Sequence, residues 1–151
     1  MRCAKLAIAL LGFSAVLMAA DAFVGTWKLN PAKSKYKTGT PAKEQTVTIG
    51  DAGSDLDVTI NGTSAEGTPI SMHYTVPASG GEGKIIESPY EGVSAKRIGA
   101  NELEYTFTKG GKVALTVHSR VSANGKTRTS TMKGTGPAGK PVDGVNFFDK
   151  Q

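Results

Sequence analysis

Beyond residue 22, apolar and polar side chains alternate with a period of two over much of the chain. Leu103, Tyr105 and Phe107 share one side of a segment whose other side carries Glu102, Glu104, Thr106 and Thr108. Val113, Leu115, Val117 and Val121 oppose Thr116, His118 and Arg120, and Ile70, Met72, Tyr74 and Val76 oppose Ser71, His73 and Thr75. Such alternation marks strands with one face buried and one face wet, the habit of antiparallel sheet. Runs rich in Thr, Val, Ile and aromatics, punctuated by Gly, Asn, Pro and Ser, predict ten strands: 24–30, 43–49, 55–61, 69–76, 82–88, 93–98, 102–108, 113–121, 127–135 and 142–150. No stretch beyond residue 22 has the periodicity of a long amphipathic helix.

The connections read as hairpins. Ser79-Gly80-Gly81, Lys109-Gly110-Gly111-Lys112, Ala123-Asn124-Gly125-Lys126 and Pro137-Ala138-Gly139-Lys140 each place glycine where a tight turn requires positive φ. Strands joined in sequence by tight turns form a meander, and one this long closes most readily into a barrel, which removes exposed edges. The expected fold is therefore all-β, an antiparallel up-and-down barrel of 8–10 strands. Asn30–Pro41 interrupts the pattern with two prolines, Gly39, Lys33, Lys35, Tyr36 and Lys37. It reads as a surface loop with one short helical turn after Pro31, with a flap over a barrel mouth as the alternative.

The first residues follow a different logic. Arg2 and Lys5 precede an apolar run from Leu6 to Ala20, and small residues follow at Ala19, Ala20 and Ala22. This is the layout of a secretory signal peptide. An A-x-A site at Ala20-Asp21-Ala22 predicts a signal peptide of residues 1–22 and a barrel domain of residues 23–151, with cleavage after Ala20 as the alternative. The run is shorter than the ~20 apolar residues that span a bilayer. Cys3 lies before the run rather than after it, which argues against a lipid anchor. The expected product is secreted or periplasmic, with no stable membrane anchor.

Cleavage removes the single cysteine, and with it any disulfide, cysteine-ligated metal or thiol nucleophile. Losing Arg2, Lys5 and Asp21 lowers the formal net charge from +5 to +4. The remaining basic residues are scattered, with no run longer than two, so a solvated cationic surface is expected and no nucleic-acid partner. Gly134-Thr135-Gly136-Pro137-Ala138-Gly139-Lys140 has phosphate-loop spacing. Pro141 stands where the metal-binding hydroxyl belongs, and a strand follows instead of a helix, so the motif is rejected. Asp51, Asp55 and Asp57 miss the calcium-loop pattern and read as a solvated strand face. His73 and His118 sit at polar positions without companion motifs. No catalytic residue, metal site or cofactor is expected.

Phe23-Val24-Gly25-Thr26-Trp27-Lys28-Leu29 opens the first strand, and Val145-Asn146-Phe147-Phe148-Asp149-Lys150 closes the last. Both segments resemble the lipocalin and fatty-acid-binding-protein (calycin) superfamily, whose first strand carries G-x-W and whose last strand ends aromatic, acidic, Lys. The resemblance implies a small secreted bacterial lipocalin-like protein, in which Trp27 plugs one barrel end beside a basic residue of the last strands, Arg128 or Arg120. Two features depart from the fatty-acid-binding branch: Asn30–Pro41 is too short for a helical lid, and the carboxylate-binding R-x-Y stands here as Arg128-Thr129-Ser130. Arg128 shares a face with Ser130 and Met132, and an inward guanidinium wants an anion.

The functional expectation is binding of a small apolar or amphipathic ligand inside a monomeric barrel. The candidate ligand-binding residues are Trp27, Met72, Tyr74, Tyr105, Phe107, Leu115, Val117 and Arg128, with a structural role preferred for Trp27. The alternative is an exported interaction or inhibitor module with a filled barrel and no ligand. An enzyme would need His73 or His118 beside a carboxylate in a cleft.

Overall fold

A computed structural model describes residues 20–151, so residues 1–19 of the expected signal peptide lie outside the described residues. Twelve strands and no helix occupy the described residues: β1 (Gly25–Leu29), β2 (Lys35–Thr38), β3 (Glu44–Ala52), β4 (Asp55–Thr63), β5 (Pro69–Pro77), β6 (Gly80–Glu82), β7 (Lys84–Glu87), β8 (Gly92–Gly99), β9 (Glu102–Lys109), β10 (Lys112–Val121), β11 (Thr127–Thr135) and β12 (Pro141–Lys150). All pair antiparallel in one sheet of order β6-β8-β9-β10-β11-β12-β1-β3-β4-β5-β7, with β2 also on β12, and the sheet curls into a nearly closed barrel. Every strand expected from the alternation is present. Gly110, Gly125 and Gly139 take the positive φ that their turns require.

Three details depart from the expected strands, each for a local reason. The expected strand 82–88 is two, because this segment stitches the two sheet edges together. Gly80–Glu82 pairs with β8 and Lys84–Glu87 pairs with β5. Gly83 lies between them, its N–H bonded to the Val93 carbonyl at 2.8 Å. A Cβ there would run into the Thr75 carbonyl and come within 2.7 Å of Val76 Cγ1, so only glycine lets the edges meet.

The second departure concerns Asn30–Pro41, which is not wholly a surface loop. The helical turn forms, with Asn30 Oδ1 accepting the Lys33 N–H at 3.2 Å and the Asn30 carbonyl accepting the Ser34 N–H at 3.2 Å. The chain then rejoins the wall. Leu29 pairs with Phe148 in β1, and Lys35 pairs with Val145 in β2. Together β1 and β2 make one wall strand broken by a turn, and Ser34 Oγ bridges the break by accepting the Phe147 N–H at 3.0 Å. Ladder hydrogen bonds between main chains leave no trace in side-chain polarity, so lysine-rich residues 35–38 give no strand signal.

Third, a register shift between Val113 and Leu115 turns Val113 outward, 63% exposed, while Leu115 stays inside. A bulge of this kind inverts the facing of residues on its far side.

The barrel is plugged at the end where the chain enters β1. Phe23, Leu56, Val76, Leu103 and Val121 are each no more than 2% exposed, and Trp27 lies among them. Toward the other end, framed by residues 39–43, 64–68 and 136–140, the interior opens.

Candidate functional site

The interior beyond the plug holds a cavity of about 190 Å³. Strand parity aims its lining inward: Met72 and Tyr74 from β5, Tyr105 and Phe107 from β9, Leu115 and Val117 from β10, and Arg128 from β11. Tyr74 packs edge-on against Tyr105, with centroids 6.2 Å apart, and against Phe107 at 5.3 Å. These T-shaped contacts lock the rings into one wall.

Arg128 is the one charged side chain buried in this interior among the described residues, at 5% exposure. Its guanidinium lies 4.6 Å from the centre of the Phe148 ring and 5.5 Å from that of Trp27. No carboxylate among the described residues pairs with it, and its Nε has no hydrogen-bond partner. Burial presses its pKa below the ordinary guanidinium value, yet an arginine does not give up its proton in a protein. Aromatic faces compensate a desolvated cation by about 2 kcal/mol, less than the several kcal/mol that desolvation costs. The Tyr105 hydroxyl is also buried without a partner. The cavity thus presents a cation and a phenol with unused donors.

Three neighbouring polar residues are satisfied. Ser119 and Ser130, opposite each other on β10 and β11, share a hydrogen bond at 2.8 Å. Asn146 accepts the Tyr36 O–H at 2.6 Å, which brings the β2 tyrosine over the cavity's edge. At the rim, Lys140 Nζ meets Glu66 Oε1 at 2.9 Å, joining the β11–β12 and β4–β5 connections. Sequence reasoning named Ser130 only as sharing the face of Arg128 and passed over Ser119, Asn146 and Tyr36 as site residues. Ser119 and Asn146 sit at inward parity, beside Val117 and Phe148 respectively, but their polarity disguised it.

The expected site residues divide cleanly. Met72, Tyr74, Tyr105, Phe107, Leu115, Val117 and Arg128 line the cavity, whereas Trp27 does not. Trp27 is fully buried one layer below, its indole N–H donating to the Phe23 carbonyl at 2.9 Å. It forms the floor behind Arg128, and Lys150 Nζ lies 5.4 Å from its ring centre. Gly25 permits this crossing, since a Cβ there would come within 2.7 Å of Lys150 Cε, and its φ of 144° suits glycine. Of the two arginines expected beside Trp27, Arg128 takes the place. Arg120 points outward and pairs with Glu102 at 2.7 Å.

The histidines stand away from the cavity lining. His73 Nε2 lies 2.6 Å from Asp57 and His118 Nε2 lies 3.1 Å from Glu102, each on the outer side of its strand. Asp57 belongs to a solvated face, as the alternation implied, with Leu56 and Val58 buried behind it. Among the described residues no three His, Cys, Asp or Glu side chains gather as a metal site.

Burial also shapes the tyrosines. Tyr105 is pushed up to about 12, chiefly by desolvation, with Arg128 pulling the other way. Desolvation likewise raises Tyr36 to about 12 and lifts Tyr74 and Tyr90 above 10.0. A phenol whose folded pKa exceeds its unfolded value stabilises the fold below the unfolded value, and that contribution is lost as pH climbs through the folded one. The barrel is therefore expected to hold its stability up to pH 10 and to lose it from there to 12 and beyond, with roughly 3 kcal/mol at stake at Tyr105 alone. Denaturant melts across this range, with tyrosinate absorbance read in parallel, check it. Tyrosines that ionise near 10 while the barrel stays folded would contradict the buried placement.

No family model and no curated protein matches this sequence. Among solved structures, the chain is similar to a de novo designed fluorescence-activating β-barrel, at 15% identity and a TM-score of 0.43, over 88% of this chain and 100% of that one.

Proposed function

We propose that this chain is an exported, monomeric, lipocalin-like binding protein without catalytic activity. It takes one small amphipathic ligand into the barrel and holds that ligand's anionic end at Arg128 and Tyr105. The observation that carries the reading is the buried guanidinium with no carboxylate and an unpartnered Nε, set in a cavity walled by aromatics. An unpaired buried cation is costly, and an incoming carboxylate relieves that cost with charge-assisted hydrogen bonds. The stacking of Arg128 over Trp27, behind the Gly25-Thr26-Trp27 signature, supports the lipocalin-like assignment.

Volume narrows the class. A cavity near 150 Å³ admits benzene, while drug-sized ligands need roughly 300 Å³ or more. At about 190 Å³ the interior suits a monocyclic aromatic carboxylate or a short-chain acid rather than a long fatty acid.

The test uses the single tryptophan, whose ring lies 5.5 Å from the group that would receive the ligand. Titration with benzoate-class and short-chain carboxylates is expected to give a saturable change in Trp27 fluorescence. The matching amides should bind at least tenfold more weakly, as expected for loss of a charged hydrogen bond worth about 1.5–3 kcal/mol. No response to any carboxylate, together with empty protein by native mass spectrometry from the original host, would overturn the proposal.

A further inference from the structure

The turn that precedes β1 contains a residue whose burial bears on how the chain is processed. Asp21 anchors the plugged end of the barrel. Its carboxylate meets Arg97 Nη1 at 2.7 Å and Nη2 at 3.4 Å, and also accepts the Phe23 N–H at 3.0 Å. Its carbonyl accepts the Val24 N–H at 3.0 Å. Arg97 in turn gathers three segments. It donates to Ala78 at 3.1 Å, to Gly99 at 2.7 Å and to Ala100 at 2.5 Å, and it lies 5.5 Å from the centre of the fully buried Phe23 ring. Both side chains of the ion pair are about one-fifth exposed, and Asp21 is the one carboxylate paired with Arg97 among the described residues. Ala20, one residue earlier, is exposed.

We propose that the mature chain begins at Asp21, through cleavage of the Ala20–Asp21 bond, and not at Phe23. The proposal rests on the reading of the first residues as an export signal. The peptidase cuts before the barrel folds, so the fold does not steer the cut; it shows which product assembles completely. A chain cut after Ala22 loses the anion opposite Arg97. It also places a new ammonium on the Phe23 nitrogen, which now donates to that anion, so two cations face each other at the plug. A chain cut after Ala20 keeps the pair and leaves its new ammonium at the exposed edge. Ala20-Asp21-Ala22 fits the A-x-A rule for the cut after Ala22, the cut after Ala20 also follows a small residue, and only the product of the latter keeps the ion pair.

The full 151-residue chain, expressed in an exporting bacterial host and recovered from the periplasm or medium, is measured by intact mass spectrometry. A product beginning at Asp21 is expected. A product beginning at Phe23 overturns the inference and leaves the export reading standing, whereas an uncleaved chain overturns both. The variant Ala22→Leu sharpens the result, because a bulky residue blocks cleavage after position 22 but not after Ala20. Unchanged processing to Asp21 is expected of it, and accumulation of its precursor would sink the proposal.

Discussion

Arg128→Met is expected to abolish carboxylate binding while leaving the barrel as stable as before or more so. Binding should weaken by roughly 100-fold or more, since losing one partner of a buried charge pair costs about 2–5 kcal/mol. Stability should move the other way. In the free protein the guanidinium is buried, unpaired with any carboxylate among the described residues and missing a partner at Nε. Methionine fills similar length without a charge to desolvate, and such replacements are often neutral or stabilising by about 1–4 kcal/mol. The stacking on Trp27 and Phe148 that is lost, about 2 kcal/mol, keeps the expected gain at the lower end. Urea midpoints and Trp27 fluorescence titrations on the same preparations read both effects. A variant destabilised by 2 kcal/mol or more would mean that Arg128 is held for structure and that ligand binding needs another explanation.

Trp27→Ala is expected to be the most damaging single substitution, at about 3–5 kcal/mol. The indole is fully buried, fills the floor between the plug and the cavity, and donates to the Phe23 carbonyl. Truncation opens a void that flanking strands cannot close, orphans that carbonyl and removes the ring under Arg128 and Lys150. Trp27→Phe keeps most of the volume and should cost less than half as much. Denaturant unfolding followed by circular dichroism, since the fluorophore is gone, distinguishes the two. A cost near 1 kcal/mol for the alanine variant would show that Trp27 is a replaceable side chain rather than the floor of the site.

The six apolar and aromatic cavity-lining residues expected from the alternation were legible because parity along a strand decides which face a residue occupies. Arg128 belongs with them for the same reason: Ser130 and Met132 share its face, and the face is inward. Ser119 and Asn146 obey the same parity, but polarity suggested water to a reader who could not see what lay opposite. Their hydrogen-bond partners, Ser130 and Tyr36, are 11 and 110 residues away. Trp27 was legible as buried and as a plug. Its exclusion from the lining depends on depth along the barrel, which parity does not encode.

By itself, the sequence determined ten strand segments, their antiparallel meander, the turn glycines and, Val113 apart, the inward faces of the alternating strands, because these are set by neighbours two to a few residues apart. The tertiary structure alone decided how the sheet edges meet at Gly83, how lysine-bearing residues 35–38 complete a wall strand, and how Asp21 is tied to Arg97, a residue 76 positions away. It also decided that the interior is hollow above Trp27 and filled below it. The same apolar side chains can pack a core or line a cavity. The difference is the volume between walls, and that depends on strands brought together from the whole length of the chain.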